Sequence, residues 1–293
     1  MSSSAGHRRL AKHAACQGGP AAIEAARLVL DCGPRGAVLA SRAVSDDSTR
    51  LAVILVAGIG ARLGDVEGRP KCLVPVGERS LLLRALDALL AVGVEEIVFA
   101  TGYREEAIRE AVEGLPLRAH FCPNPAYSST QNAVSLHHCA DAVAGRSFFK
   151  LDGDVLFGVE VLERLRAGEG AIRAAVDRSV ALADEEMKVL MEGDRITAFG
   201  KHLDPARAAG ESIGIERIDA SIAGRLFEAL AEAVRQGRTG IYYEHVYDAL
   251  LGEGVDVRSV DVTGLPWTEI DTPEDLAQAQ LLLRRMRGAE PSP

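Results

Sequence analysis

Leu51-Ala-Val-Ile-Leu-Val-Ala-Gly-Ile-Gly-Ala-Arg-Leu63 is the stretch that decides the fold, because a continuous apolar run opens in it directly into a glycine loop. The apolar run, Leu51 to Val56, is typical of a strand buried on both faces, as in a parallel sheet. Gly58 and Gly60 let the backbone approach a ligand and point N–H groups at phosphate oxygens, and Arg62 can add a charge-assisted contact. The stretch therefore predicts an α/β protein with an anion-binding loop after its first strand.

Two common nucleotide-binding motifs do not fit this loop. The dinucleotide fingerprint of dehydrogenases requires a glycine three positions after Gly60, where this chain has Leu63. The P-loop pattern, in which GxxxxGK is followed by Ser or Thr, is absent. The loop is followed instead by Pro70-Lys71, which adds a second cationic side chain close in sequence to Arg62.

Strand and helix patterns alternate outward from the loop and predict a Rossmann-like, three-layer, mostly parallel sheet. After Gly170 closely spaced strands follow, with Gly193-Asp194 as a tight turn, which predicts a small antiparallel region. The last helix is expected to begin at Pro273, with Thr272 as its N-cap. The other predicted strands are 51–56, 96–100, 117–122, 147–151, 171–177, 187–192, 195–199 and 255–262, and the other predicted helices are 81–90, 104–112, 132–142, 159–167, 220–236 and 242–251.

The predicted domain spans residues 51–285. Residues 1–50 are rich in serine, glycine and alanine and lack a strand pattern, so we expect an N-terminal extension that is partly disordered. Residues 286–293 form a predicted C-terminal tail.

Composition narrows the class of partner. The net charge of -9 argues against a nucleic-acid partner, because binding to a phosphate backbone requires a concentrated basic surface. No apolar run approaches the ~20 residues of a membrane span, and no secretory signal is recognisable, so we expect a cytoplasmic protein without a membrane partner. The five scattered cysteines have no CxxC spacing, which argues against a disulfide framework and against structural zinc.

Two pairs of acidic residues follow strands that are far apart in the chain. Asp152 and Asp154 end the apolar strand at 147–151, and Glu269 and Asp271 share one face of a short strand because they are two residues apart. Ligands gather at the carboxyl ends of strands in open sheets, and carboxylates there suit a hard cation such as Mg²⁺. We expect Asp154, Glu269 and Asp271 to be metal ligands. Asp152 is explained equally well as a ligand or as a turn residue.

The combination AGxGxRL, then Pro70-Lys71, then an apolar strand resembles the signature of nucleotidyltransferases with the nucleotide-diphospho-sugar transferase fold. The string WTEIDTPED at 267–275 is similar to their second metal-binding segment, and the resemblance covers residues 51–282. It implies a triphosphate site whose residues are Ala57, Gly58 and Gly60 for binding, and Lys71 and Arg62 for catalysis.

A second segment, Asn124-Pro-Ala-Tyr127 with the polar residues up to Ser135, resembles one branch of these enzymes. That branch includes bacterial phosphocholine, aminoethylphosphonate and inositol-phosphate cytidylyltransferases. Helix capping and turn formation also account for polar residues here. The resemblance implies four residues beside the base and sugar, namely Asn124, Thr130, Asn132 and Ser135.

The acceptor of the transferred group is expected to lie against the antiparallel region. Either Lys188 or Lys201 can neutralise a phosphate or phosphonate. Tyr242 and Tyr243, with Glu244, can hold an ammonium group by cation–π and charge contacts. For the adjacent tyrosines 242 and 243, the alternative is that one packs in the core and the other lies on the surface.

We therefore expect an enzyme of the EC 2.7.7 class, a cytidylyltransferase that transfers CMP from CTP to a small phosphorylated or phosphonylated acceptor, with Mg²⁺ as cofactor. The alternatives are a sugar-1-phosphate nucleotidyltransferase that uses UTP, GTP or dTTP, and a glycosyltransferase with Asp152-Gly-Asp154 as a DxD motif. A nucleotide-sensing domain without turnover is a further alternative. The expected partners are the triphosphate and the acceptor, and a homo-oligomer is compatible with the sequence.

Overall fold

The predicted first strand lies inside a nine-stranded sheet. The computed structural model describes residues 49–63, 68–286 and 288, all of which belong to one unit of the chain, residues 46–293. The predicted extension lies outside the described residues apart from Thr49 and Arg50, and the predicted tail apart from Met286 and Gly288.

The ends of the predicted elements agree with the structure to within two residues, but the predicted helix 132–142 is broken into α3 and α4. The strands are β1 (Leu51–Leu55), β2 (Pro75–Val76), β3 (Arg79–Ser80), β4 (Glu96–Thr101), β5 (Arg118–Pro123), β6 (Phe148–Asp152), β7 (Val155–Phe157), β8 (Ile172–Asp177), β9 (Lys188–Glu192), β10 (Arg195–Gly200), β11 (Gly210–Ile218), β12 (Val257–Asp261) and β13 (Trp267–Glu269). The helices are α1 (Leu81–Ala91), α2 (Glu105–Val112), α3 (Asn132–His137), α4 (Ala140–Val143), α5 (Glu160–Ala167), α6 (Ala220–Arg235), α7 (Glu244–Gly252) and α8 (Pro273–Met286).

The strand order of the large sheet is β5-β4-β1-β6-β11-β8-β12-β10-β9. Strands β5, β4, β1 and β6 are parallel, as predicted. The predicted antiparallel hairpin at Gly193-Asp194 joins β9 and β10. It extends the same sheet, however, because β10 pairs with β12, and β12 pairs in parallel with β8. The predicted α/β fold is thus confirmed, with more antiparallel pairing than the sequence indicated.

Strand β11 is the main element that the sequence pattern did not reveal, although it lies at the centre of the sheet between β6 and β8. Two adjacent charged residues, Glu216 and Arg217, interrupt its apolar pattern, yet both are buried. Each has a partner there, since Glu216 forms an ion pair with Lys150 and Arg217 donates to the hydroxyl of Thr49. Buried charges with partners do not follow the hydrophobic periodicity on which strand prediction depends.

Helices cover both faces of the sheet and produce the predicted three layers. Strand β1 shows the arrangement, since Val53 packs into one apolar core and Ile54 into the other. The first core includes Leu226 of α6, and the second includes Leu86 of α1. Among the described residues, no helix has the length and apolar character needed to cross a membrane.

Helix α8 begins as predicted. The Thr272 hydroxyl accepts from the backbone N–H of Asp275 at 3.2 Å, and the Asp275 carboxylate accepts from the backbone N–H of Thr272 at 2.8 Å. This reciprocal cap fixes the chain immediately after Asp271.

Gly214 in β11 tests how tightly the sheet packs below the predicted acidic residues. Its φ is +74°, and an added Cβ would lie 2.5 Å from Oδ2 of Asp152. Gly214→Ala should therefore lower the free energy of unfolding by about 1–3 kcal/mol. Gly224→Ala is the control, because no atom lies within 4 Å of the added Cβ in α6 and alanine stabilises a helix interior by about 0.5–1 kcal/mol. Urea unfolding measures both, and equal effects would contradict the packing described.

Candidate active site

A cavity of about 480 Å³ opens where the glycine loop after β1 meets the turn after β6. The predicted site residues that line it are Ala57, Gly58, Gly60, Arg62, Lys71, Thr130, Asn132, Ser135, Asp154, Lys201, Tyr242, Glu244, Glu269 and Asp271. Asn124 and Lys188 do not line it. The fold thus brings nearly all of the predicted site together, including residues more than 200 positions apart.

The glycine loop is held against the adjacent chain. Gly60 has a φ of +69°, and an added Cβ would lie 2.7 Å from the Cβ of Lys71. The carbonyl of Ala57 accepts from the backbone N–H of Tyr103 at 3.1 Å. Glycine at position 60 therefore allows the stem of Lys71 to pack directly on the loop, which places both at one end of the cavity.

Three carboxylates lie at the same end of the cavity as Lys71. Asp154 follows β6, and β13 pairs with β7 so that Glu269 lies opposite Val155. The backbone N–H of Ile270 donates to the carbonyl of Asp154 at 2.9 Å. One ligand oxygen each of Asp154, Glu269 and Asp271 lies within 4.8 Å of the others. Three oxygen donors at this spacing fit a divalent cation that prefers oxygen ligands.

Lys71 and Arg62 offset part of this negative charge. The Lys71 ammonium forms ion pairs with Asp271 and, at 2.9 Å, with Asp154, and Arg62 contacts Asp271 at 2.6 Å. Burial lowers the pKa of Lys71, but the two carboxylates outweigh burial, so its pKa is raised and the side chain stays cationic. Burial and the like charges of Asp154 and Asp271 raise the pKa of Glu269 to about 8. The three carboxylates therefore outnumber the two cationic groups that contact them.

Asp152 does not belong to the acidic triad, Asp154, Glu269 and Asp271. Its carboxylate accepts from Lys150 at 3.2 Å and from the hydroxyl of Tyr243 at 2.9 Å. The sequence left two roles open for Asp152, a metal ligand or a turn residue. Its contacts with Lys150 and Tyr243 fit neither role. Asp152 instead forms part of the cavity floor.

The base-side loop, residues 124–135, is organised by Asn124. The side chain of Asn124 is buried, and its Nδ2 donates to the hydroxyls of Thr130 at 2.9 Å and Ser135 at 3.0 Å. The expected direct contact of Asn124 with a nucleotide is therefore corrected, because the residue lies behind the cavity wall and orients two residues that line it. Asn132 lines the wall and accepts from the backbone N–H of Tyr243 at 3.0 Å.

Lys188 also has a different position from the one expected. It is fully buried, and its ammonium donates to the carbonyls of Ala183 at 2.5 Å and Glu186 at 3.2 Å. These contacts support the 183–186 loop and keep the charge away from the cavity. Lys201 does line the cavity, and its Nζ lies 3.5 Å from Glu185.

A buried group of charges lies next to the part of the cavity that Tyr242 and Glu244 line. The Nζ of Lys150 lies 2.8 Å from Oε2 of Glu216 and 3.6 Å from the ring centroid of Tyr243. Burial raises the pKa of Glu216 to about 7 and that of Glu244 to about 8, although Lys150 acts in the opposite direction on both. No role could be assigned to Lys150 or Glu216 from the sequence, because the pairing of β11 with β6 was not predicted.

A model of the MobA-like NTP transferase domain matches residues 52–245. The CMP-5'-(3-aminopropyl)phosphonate synthase of Streptomyces rubellomurinus is 34% identical over 239 residues, which are 78% of this chain and 38% of that protein. The bifunctional IPC transferase and DIPP synthase of Rubrobacter xylanophilus is 34% identical over 230 residues, 77% of this chain and 50% of that protein. The chain therefore spans half or less of the length of these relatives.

Solved structures support the fold. The inositol-1-phosphate CTP transferase from T. maritima has a TM-score of 0.69 at 24% identity, covering 83% of this chain and 98% of its own. The CTP:phosphocholine cytidylyltransferase from Streptococcus pneumoniae has a TM-score of 0.63 at 22% identity, covering 80% of this chain and 99% of its own. These likenesses confirm the predicted nucleotide-diphospho-sugar transferase fold.

The raised pKa of Glu244 leads to a prediction about stability. Glu244 faces Lys150 and Asp152 of β6, Glu216 of β11 and the tyrosines at 243 and 247. Since the folded protein keeps a proton that the unfolded chain loses near pH 4.5, stability should fall as the pH rises from about 4.5 to 8. Glu244→Gln removes the contribution of Glu244, while Glu211, Glu216 and Glu269, whose pKa values are also raised, keep theirs.

The Tm of Glu244→Gln should therefore exceed that of the wild type by an amount that grows between pH 5 and 8 and then levels off. The expected gain is several degrees, at about 2–4 °C per kcal/mol for a chain of this size. Glu253→Gln, an exposed substitution, is the control. Scanning calorimetry across this range measures the difference, and a Tm difference independent of pH would contradict the buried titration of Glu244.

Proposed function

The chain belongs to the MobA-like NTP transferase domain family, and from this premise we propose that it is a cytidylyltransferase. It transfers CMP from CTP to a small phosphorylated or phosphonylated acceptor and releases pyrophosphate. The observation that carries the proposal is that the glycine loop, Lys71 and the acidic triad line one cavity. The same cavity has a further wall that includes Lys201, Tyr242 and Glu244, which we call the acceptor wall. The similar proteins named above make CMP derivatives or use CTP, which favours CTP over UTP, GTP or dTTP.

The proposed reaction is an attack by an oxygen of the acceptor on the α-phosphorus of CTP. Such a transfer needs positioning and charge neutralisation and little covalent chemistry from the protein. Backbone N–H groups of the glycine loop and the cationic groups of Lys71 and Arg62 hold the phosphates. Because the stem of Lys71 packs on Gly60, its ammonium can reach either the triad or a phosphate in the loop without a change of backbone.

Mg²⁺ is the proposed cofactor, held by Asp154, Glu269 and Asp271. When bound, it would neutralise phosphate oxygens that these carboxylates would otherwise repel. The three carboxylates fit Mg²⁺, because each offers an oxygen ligand, these oxygens lie within 4.8 Å of one another, and the carboxylates outnumber the cationic groups beside them. On the nucleoside side, Thr130, Asn132 and Ser135 are the proposed contacts, with Asn124 behind them.

The contacts of Asp152 argue against the glycosyltransferase alternative. A DxD motif would direct both Asp152 and Asp154 to the cation, but Asp152 is engaged by Lys150 and Tyr243. The proposed partners are CTP and the acceptor, with the cytoplasm as the proposed location and a homo-oligomer as a further prediction.

Lys71→Ala should lower kcat for pyrophosphate release by about 10²–10³-fold, since a preorganised cation at the phosphates is lost. Arg235→Ala, which removes an exposed cation on α6, should leave the rate unchanged. The assay supplies Mg²⁺, each of the four nucleoside triphosphates and a panel of aminoalkyl phosphonates, phosphocholine, inositol phosphate and hexose 1-phosphates. No pyrophosphate from any combination would refute the proposal, and release with UTP and a hexose phosphate would favour the sugar-phosphate alternative.

Asp154→Asn should raise the Mg²⁺ concentration needed for half-maximal activity by at least about tenfold, because it removes one of three cation ligands. Asp87→Asn serves as the control, since Asp87 is exposed on α1 and pairs with Arg79. Isothermal calorimetry with Mg²⁺ alone provides a readout that does not depend on turnover. An unchanged Mg²⁺ affinity would remove Asp154 from the metal site.

A further inference from the structure

The acceptor side of the cavity contains buried polar atoms that have no partner within the described part of the chain. Oε2 of Glu244 and Oγ of Ser212 both lack a hydrogen bond, and the two residues are only 5% and 4% exposed. Both line the cavity. A buried carboxylate oxygen without a donor is costly, so its position in a cavity wall indicates a donor on the ligand.

The same wall is rich in acidic groups. Asp152, Glu185, Glu211 and Glu244 line it, and Lys201 on the rim is already paired with Glu185. Glu211 has no basic partner at hydrogen-bond distance among the described residues, and its partial burial near Glu186 and Asp177 raises its pKa to about 7. This part of the cavity therefore favours the cationic end of a ligand.

The two tyrosine rings next to Glu244 in the chain already contact cationic side chains. Lys150 lies 3.6 Å from the ring centroid of Tyr243, which is fully buried. Lys201 lies 5.5 Å from the ring centroid of Tyr242, and His245 stacks on that ring at 6.0 Å. A quaternary ammonium needs aromatic faces because it has no N–H to donate. A primary ammonium has three N–H donors and needs acceptors instead.

We propose that the acceptor ends in a primary ammonium group, which donates hydrogen bonds to Glu244 and Ser212, and that a quaternary ammonium is a poor substitute for it. The proposal rests on the proposed cytidylyl transfer and narrows its acceptor to aminoalkyl phosphonates or phosphates. A bound ammonium favours the ionised form of Glu244, which then supplies the counter-charge, and Ser212 accepts a further hydrogen bond.

The test is a series of 2-aminoethylphosphonate and its N-methyl, N,N-dimethyl and N,N,N-trimethyl derivatives, assayed with CTP and Mg²⁺. The kcat/KM should fall with each lost N–H, and the trimethyl compound should be at least tenfold worse than the parent. Equal or better use of the trimethyl compound would overturn the proposal. Preferred use of inositol phosphate, which has no ammonium, would also overturn it while leaving cytidylyl transfer intact.

A binding measurement separates this proposal from the proposed function. Calorimetry with the same four compounds, in the presence of Mg²⁺ and α,β-methylene-CTP, reports discrimination without turnover. Suppose that no compound releases pyrophosphate but that the parent binds at least tenfold more tightly than the trimethyl compound. This result would refute the proposed cytidylyl transfer and support the proposed ammonium site. If all four bind equally, or none binds, the ammonium site fails.

Two substitutions in the cavity test which residues bind the ammonium group. Glu244→Gln and Ser212→Ala should each raise KM for the parent compound at least tenfold and leave KM for CTP unchanged. Glu253→Gln, exposed at the end of α7, should change neither constant. Unchanged KM for the parent compound in both cavity variants would contradict the assignment, and the Ser212 variant covers the case in which the Glu244 variant does not fold.

Discussion

Mutual repulsion among the carboxylates of Asp154, Glu269 and Asp271 is the constraint on which the rest of the site depends. The pairing of β13 with β7 holds them together, and the cap of α8 fixes the chain just beyond Asp271. Like charges at this spacing disfavour the ionised state unless cations offset them. Lys71 and Arg62 supply two cationic groups. The stem of Lys71 packs on Gly60, and Arg62 belongs to the glycine loop itself. The acidic and basic halves of the site therefore depend on each other.

The sequence was sufficient for the parts of the site that follow from local pattern. A buried strand that opens into glycines, and acids at strand ends, can be located without knowing the pairing of strands, because parallel sheets bring these ends to one edge. The positions of Gly60, Lys71 and Asp154 in one cavity follow from that rule. The start of α8 was equally predictable, since Thr272 and Asp275 form a local cap.

The sequence was insufficient where a residue's role depends on tertiary partners. Asn124 and Lys188 have the chemistry of ligand-binding residues, but the fold buries both and pairs them with hydroxyls or carbonyls. Strand β11 was not predicted, because its buried charged residues interrupt the apolar pattern of a strand. Their partners are distant in the chain and cannot be recognised from the local sequence. The proposed acceptor wall depends on that strand, so the sequence located the proposed nucleotide half of the site better than the proposed acceptor half.

The central claim is that the α-phosphorus of CTP becomes bonded through oxygen to the acceptor. Phosphorus-31 NMR of the enzyme with CTP, Mg²⁺ and 2-aminoethylphosphonate tests it most directly. The account predicts a new pair of coupled resonances from a mixed anhydride, together with pyrophosphate, and neither without the acceptor. Transfer of the γ-phosphoryl group, or hydrolysis of CTP with the phosphonate unchanged, would contradict it.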